Sequence, residues 1–142
     1  MHVSKSEIQV RYAETDQMGV VYHTNYLVWF EIGRTQLIED LGFSYAGMEE
    51  EGVLSPVLDI HASYKKPVRY GQKAVIHTWI EKYDGLRVAY GYEIYDDQQD
   101  LCVTGTSSHI CVKRENFRPI SIKKYFPDWD KAYRLAKKQD AI

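Results

Sequence analysis

Cysteine, proline and long apolar runs are scarce in this sequence. Only two cysteines, Cys102 and Cys111, occur in 142 residues. On one shared strand they stand about 30 Å apart, beyond disulfide reach. A disulfide framework is thereby excluded, and a reducing compartment, the cytoplasm, is the expected location. No apolar run approaches the roughly 20 residues of a membrane span. The opening Met-His-Val-Ser-Lys-Ser-Glu lacks the apolar centre of a signal peptide. A net charge of −2 gives no general attraction to nucleic acid. His2, His61, His77 and His109 make no metal-ligand spacing with each other or with the cysteines, so no metal or other cofactor is expected.

What is present suits an ordinary globular chain. Hydrophobic residues make up 44% and charged residues 27%. The length fits one domain over residues 1–142, with no repeat or linker. Aromatic content is high, at 13% with 12 tyrosines. Tyr joins a large apolar ring to a polar tip, which suits strands, amphipathic pockets and subunit interfaces.

Hydrophobic periodicity divides the chain. Ile8, Val10 and Tyr12 alternate with polar residues, which predicts a half-buried strand. A polar loop with one glycine follows, from Ala13 to about Thr24. Asn25 to Leu41 then reads as a helix, with Thr24 or Asn25 to cap it and Gly42 to end it in the left-handed conformation. Its first half, Tyr26 to Phe30, is apolar nearly all round, which predicts burial on several sides. Arg34, Glu39 and Asp40 mark a polar face in its second half. Ser44 to Gly52 has room for one or two helical turns.

Four longer alternating segments come next, around Leu58–Tyr64, Ala74–Ile80, Leu86–Ile94 and Thr104–Val112. Short turns join them, which predicts an antiparallel meander. Pro67 and Gly71 interrupt the chain between the first two. A charged helical tail runs from about Ser121 to Gln139. The pattern is α+β: a long helix with an antiparallel sheet of about five strands curled around it.

The loop before the helix carries the chemistry. It reads Tyr12-Ala-Glu-Thr-Asp16-Gln-Met-Gly19-Val-Val-Tyr22-His23-Thr-Asn25-Tyr26. Asp16 is a carboxylate close in sequence to a helix start, where free backbone amides carry partial positive charge. Gly19 lets the backbone turn tightly or admit a ligand. A carbonyl could meet both groups, which is what acyl transfer needs: a nucleophile or base, and donors for the developing oxyanion. Taken alone, an Asp in such a loop is more often a turn or cap residue.

The run from Asp16 to Tyr26 resembles the active-site signature of the 4-hydroxybenzoyl-CoA thioesterase family. It is most similar to the Tol-Pal-associated acyl-CoA thioesterase branch, which reads Asp-x-x-Gly-x-Val-Tyr-His-x-x-Tyr. The resemblance covers nearly the whole chain and implies the hotdog fold, assembled as a homodimer or homotetramer. It implies hydrolysis of an acyl-CoA, with Asp16 as catalytic carboxylate and the His23 amide as oxyanion donor. Tyr12 and the His23 side chain match positions lining the site. Gly19, Tyr22 and Tyr26 complete the motif and are expected to contact substrate. The Asp attacks the thioester directly in one mechanism of the family and activates water in the other.

Further expectations attach to single residues. Glu31 stands where another thioesterase branch keeps its catalytic Glu; beside Asp16 it is expected to be a buried or interface ion-pair partner. Tyr26, Trp29, Phe30 and Tyr64 are expected around the acyl chain. Lys65, Lys66, Arg69, Lys82 and Arg87 are candidate partners for CoA phosphates. The turn before Arg87 resembles a basic turn that meets the nucleotide in some relatives, although Asp84 replaces a cation there. Two other functions fit the fold: an acyl-thioester hydratase or dehydratase, and a non-catalytic acyl-CoA-binding protein.

Overall fold

A computed structural model describes residues 1–139. Residues 140–142, the end of the expected domain range, lie outside the described residues. The elements are β1 (Ser4–Gln9), α1 (Asn25–Asp40), α2 (Tyr45–Glu50), β2 (Val53–Leu54) and β3 (Val57–Tyr64). They continue with β4 (Lys73–Tyr83), β5 (Arg87–Tyr95), β6 (Leu101–Ile110), β7 (Val112–Lys113), α3 (Ile122–Tyr125) and α4 (Pro127–Ala136). A single 3₁₀ turn, Tyr12–Glu14, opens the loop before α1. The architecture is the expected α+β: a five-stranded antiparallel sheet with a long helix on its inner face.

Strand order is β1-β4-β5-β6-β3. Only β4, β5 and β6 form the predicted meander. β3 pairs with β6 rather than with β4, so the chain must cross between them. Residues 65–72 make that crossing, where Pro67 and Gly71 prevent a hairpin. Val68 fastens the crossing: its carbonyl accepts from Val21 N–H at 2.8 Å and its N–H donates to the Tyr26 hydroxyl at 3.2 Å. Register shifts at Ile80/Lys82, Ile94/Tyr95 and Val57/Asp59 mark β-bulges, which bend and twist strands.

The helix sits close on the sheet. Phe30 stacks flat on Tyr92 with centroids 4.2 Å apart. Trp29, Phe30, Leu37 and Ile38 are buried against Ile76, Ile80 and Ile94 in one cluster. Gly42, at φ +95°, ends the helical segment as expected. At the other end of the core, Trp129 of α4 stacks on Phe43, and Tyr133 meets Tyr83 and Tyr90 edge-on.

Several expectations need correction. The first strand stops at Gln9, because the Arg11 N–H turns to the Glu14 carboxylate instead of a ladder; Tyr12 is 78% exposed. The first half of α1 is open on one side. The sheet covers only one face of it, so Val28 and Ile32 stay exposed. Arg34 is on no polar face: it is buried, and its guanidinium donates to the Tyr92 hydroxyl at 3.1 Å. From there a polar chain runs through Ser107 Oγ (2.6 Å) to His109 Nε2 (2.8 Å). Burial, then the nearby Arg34 cation, pushes the His109 pKa down to about 3. The pair β2–β7 was too short to show periodicity. Among the described residues, no helix is long and apolar enough to cross a membrane.

Candidate active site

The loop from Thr15 to Val21 closes on itself. Asp16 N–H donates to Val20 O at 2.9 Å, Gly19 N–H donates to Asp16 O at 3.0 Å, and Thr15 bridges Val21. Gly19 turns the tip at φ +76°, a conformation that L side chains rarely adopt. The loop base is tied to α1 through one carbonyl: Glu14 O accepts from Tyr22 N–H at 2.9 Å and from Asn25 Nδ2 at 2.8 Å. Asn25 therefore braces the loop rather than capping the helix. Thr24 takes the cap position without a side-chain bond.

This loop, the start of α1 and the end of β3 enclose a cleft of about 310 Å³. Asp16, His23, Tyr26, Tyr64, Lys65 and Lys66 line it, with Met18, Val20, Val21 and Pro67. Asp16 Oδ1 accepts the Met18 amide at 2.8 Å. Among the described residues nothing donates to its Oδ2, and nothing accepts the His23 N–H. Two residues of this cleft, at the positive end of a 16-residue helix, thus each keep one polar group without a partner among the described residues: Asp16 its Oδ2 and His23 its N–H. The Tyr64 hydroxyl donates to the His23 carbonyl at 3.3 Å, which holds the peptide following that amide.

The other predicted residues scatter. Tyr26 is buried in the cleft wall, where burial raises its pKa above the ordinary tyrosine value. Tyr12 lies outside this cleft, in an adjoining hollow with Asp16 and Gln17, edge-on to Tyr70. Tyr22 is exposed and packs on the His23 ring at 4.6 Å. Trp29 and Phe30 are core residues with no exposed surface, so they do not line the cleft. Glu31 is exposed, contrary to the buried alternative, and has no ion pair within the chain among the described residues. Lys66 is committed to Asp96 (2.9 Å) and Asp100 (2.6 Å), which raise its pKa. Lys65 has no such partner among the described residues.

Arg87 is not brought to this cleft. It lines a larger one, about 640 Å³, with Asp59, Glu81, Lys82, Asp84 and Lys137. Tyr64 pairs with Val103, and Val103 with Ile94, so the Asp16 cleft lies at the Ile94 end of β5. Arg87 stands at the opposite end, roughly 24 Å away at about 3.4 Å per residue. Sequence reasoning also missed Glu14. The available signal was Trp29, whose indole N–H needs an acceptor once the ring is buried. Among the described residues, no cluster of three or more His, Cys, Asp or Glu is placed to hold a metal.

Known proteins resemble this chain in sequence and fold. The profile of a family described as the thioesterase-like superfamily matches residues 10–131. The Bacillus subtilis protein named "Putative acyl-CoA thioesterase YneP" is 64% identical over 97% of this chain and 100% of its own length. The Escherichia coli acyl-CoA thioester hydrolase YbgC is 26% identical, over 82% of this chain and 87% of its own. The crystal structure of a DHNA-CoA thioesterase from Staphylococcus aureus superposes with a TM-score of 0.93 and 50% identity, covering 95% of this chain and 91% of that one. With the curled sheet and its central helix, these matches establish that the chain belongs to the thioesterase-like superfamily of hotdog folds.

Proposed function

We propose that the protein is a single-domain acyl-CoA thioesterase of the cytoplasm. Its proposed substrates are short- to medium-chain or small aryl acyl-CoAs, cleaved to free acid and CoA. The observation that carries the reading is that Asp16 and His23 line one cleft, with the Asp16 Oδ2 and the His23 N–H both without a partner among the described residues. The relatives named for acyl-CoA thioester hydrolysis support it. The resemblance of the Asp16–Tyr26 loop to the 4-hydroxybenzoyl-CoA thioesterase family, most of all to its Tol-Pal-associated branch, supports the same reading.

The thioester carbonyl oxygen accepts the His23 N–H. Asp16 Oδ2 then either attacks the carbonyl carbon or takes a proton from a water that attacks it. In the first route, the C–S bond breaks, CoA leaves as thiolate, and water cleaves the resulting anhydride. In either route negative charge grows on the carbonyl oxygen, and a preplaced amide at a helix start stabilises it. Tyr26 and Tyr64 flank the acyl group.

The assembly proposed is a homodimer, alone or paired into a homotetramer. β3 is a free sheet edge with Val57, Leu58 and Tyr64 about half exposed. Antiparallel pairing of two such edges sets the Val57 end of one copy beside the Tyr64 end of the other. Arg87 shares the Val57 end, through Ile110 and His109 of β6. Arg87 would therefore serve the cleft of the other subunit, as a partner for CoA phosphate.

The test is thiol release over acyl-CoAs of graded chain length and aryl-CoAs, for wild type and Asp16→Asn. Turnover lost in a folded Asp16→Asn supports the reading. Wild-type turnover in that variant overturns the site. Binding of every acyl-CoA without turnover by the wild type overturns the enzyme in favour of a binding protein.

A further inference from the structure

Glu14 is a buried carboxylate two residues from Asp16, and the mechanism above gives it no task. Its exposure is 5%. Both carboxylate oxygens are occupied: Oε1 accepts the Arg11 N–H at 2.9 Å, and Oε2 accepts the Trp29 indole N–H at 2.7 Å and the Arg11 guanidinium at 3.3 Å. Its carbonyl holds Tyr22 and Asn25. One residue thus joins the start of the loop, its return at Tyr22, and the first two turns of α1.

A carboxylate is an expensive way to fill a buried position. Charge withdrawn from water is tolerated only when hydrogen bonds and opposite charge replace the solvent. Burial raises the pKa of Glu14, but the donors from Arg11 and Trp29 outweigh it and hold the group below the usual carboxylate range. Glu14 is therefore an anion at neutral pH, anchored from two directions. The segments it joins carry the two reacting groups: Asp16 follows it closely, and His23 follows Tyr22.

We propose that Glu14 is a positioning residue, which through Trp29 and Arg11 sets the separation between the Asp16 carboxylate and the His23 amide. The proposal rests on the roles given above to those two groups. A misplacement of about 1 Å between reacting groups costs on the order of 10²-fold in rate. Substrate binding depends on the cleft walls, which Glu14 does not line. Loss of Glu14 therefore lowers kcat and spares KM.

The experiment compares Glu14→Gln, Trp29→Phe, the double variant, Ser4→Ala and Asp16→Asn by steady-state thiol release and thermal melting. Gln keeps the volume but turns one acceptor into a donor facing another donor. Phe keeps an aromatic ring and removes the indole N–H, at the cost of a smaller side chain in a buried position that thermal melting monitors, so it serves if Glu14→Gln does not fold. Ser4→Ala breaks a contact to Asp40, away from the cleft, and controls for stability. The expected result is a kcat lowered about 10–100-fold in Glu14→Gln and Trp29→Phe, with KM within about threefold of wild type. The double variant should be no slower than Glu14→Gln, because the two residues act as one unit. A folded Glu14→Gln or Trp29→Phe with kcat within about twofold of wild type overturns the proposal. So does a loss that Ser4→Ala reproduces at equal melting temperature. If Asp16→Asn is inactive while Glu14→Gln is normal, only the positioning role fails. If Asp16→Asn itself is fully active, the site reading fails.

Discussion

Gly33 of α1 lies directly over Thr78 of β4, so close that a β-carbon at position 33 would overlap the Thr78 hydroxyl and touch Ile76. The bare backbone at Gly33 is what lets the helix seat in the sheet. Both residues are buried, so an added methyl must displace the Thr78 side chain or push the helix off the sheet. Gly33→Ala should therefore destabilise the fold by about 1–3 kcal/mol, the usual cost of overpacking, despite Ala being the better helix former. Urea unfolding measures it, and an unchanged midpoint would show that the helix can shift.

The two groups proposed to react should respond differently to substitution. Asp16→Asn removes the proposed nucleophile or base and should lower kcat by at least about 10². His23→Ala leaves the backbone amide in place and should retain much of the turnover, because only the donor itself is worth about 10²–10³. Thiol release by both variants, with circular dichroism to verify folding, separates them. Equal losses would give the imidazole a proton-transfer role.

A role for Arg87 across the subunit boundary makes a distinctive prediction. Arg87→Ala should raise KM for acyl-CoA with kcat nearly unchanged, the pattern of lost binding energy shared by ground and transition states. Mixing unfolded Arg87→Ala and Asp16→Asn chains and refolding them together should restore sites that pair an intact Asp16 with an intact Arg87 from the other subunit. Kinetics of the mixture should then show a component with wild-type KM. If KM stays at the Arg87→Ala value, Arg87 does not act in trans.

Stability should fall with acidity well before the carboxylates titrate. His109 is buried, and its pKa is pushed down to about 3 from an ordinary 6.5. Between those values the unfolded chain holds a proton that the folded chain does not, so unfolding free energy rises with pH. The stabilisation is complete above about pH 6.5 and is lost as pH falls toward 3, at up to about 1.4 kcal/mol per pH unit. His77, shifted down mainly by burial, acts with the same sign. Urea unfolding at pH 7.5, 6 and 5 measures the slope, and His109→Gln should flatten it. An undiminished slope in that variant would place the titration elsewhere.

Much of the fold was legible because its signals are local. The alternation along β4, β5 and β6 shows in the sequence, and so does the helix that Gly42 ends. The site loop was legible for a different reason: Asp16 and His23 are close in sequence and stay on the same cleft. Trp29 and Phe30 misled, because an apolar residue beside a site motif reads the same whether it lines a pocket or fills a core. Arg34 misled in the opposite direction. Its charge suggested solvent, yet Tyr92 and Tyr45 supply hydroxyl partners from distant segments.

The sequence by itself determined the longer elements and the loop that carries Asp16 and His23, since backbone preference and side-chain period act over a few neighbouring residues. Tertiary structure alone decided that β3 pairs with β6, that Glu14 reaches Trp29, and that Arg87 stands at the far end of the sheet from Asp16. Each of these depends on which surfaces can be buried together across long stretches of chain. That balance of desolvation, hydrogen bonding and close packing exists only once the chain has closed around α1.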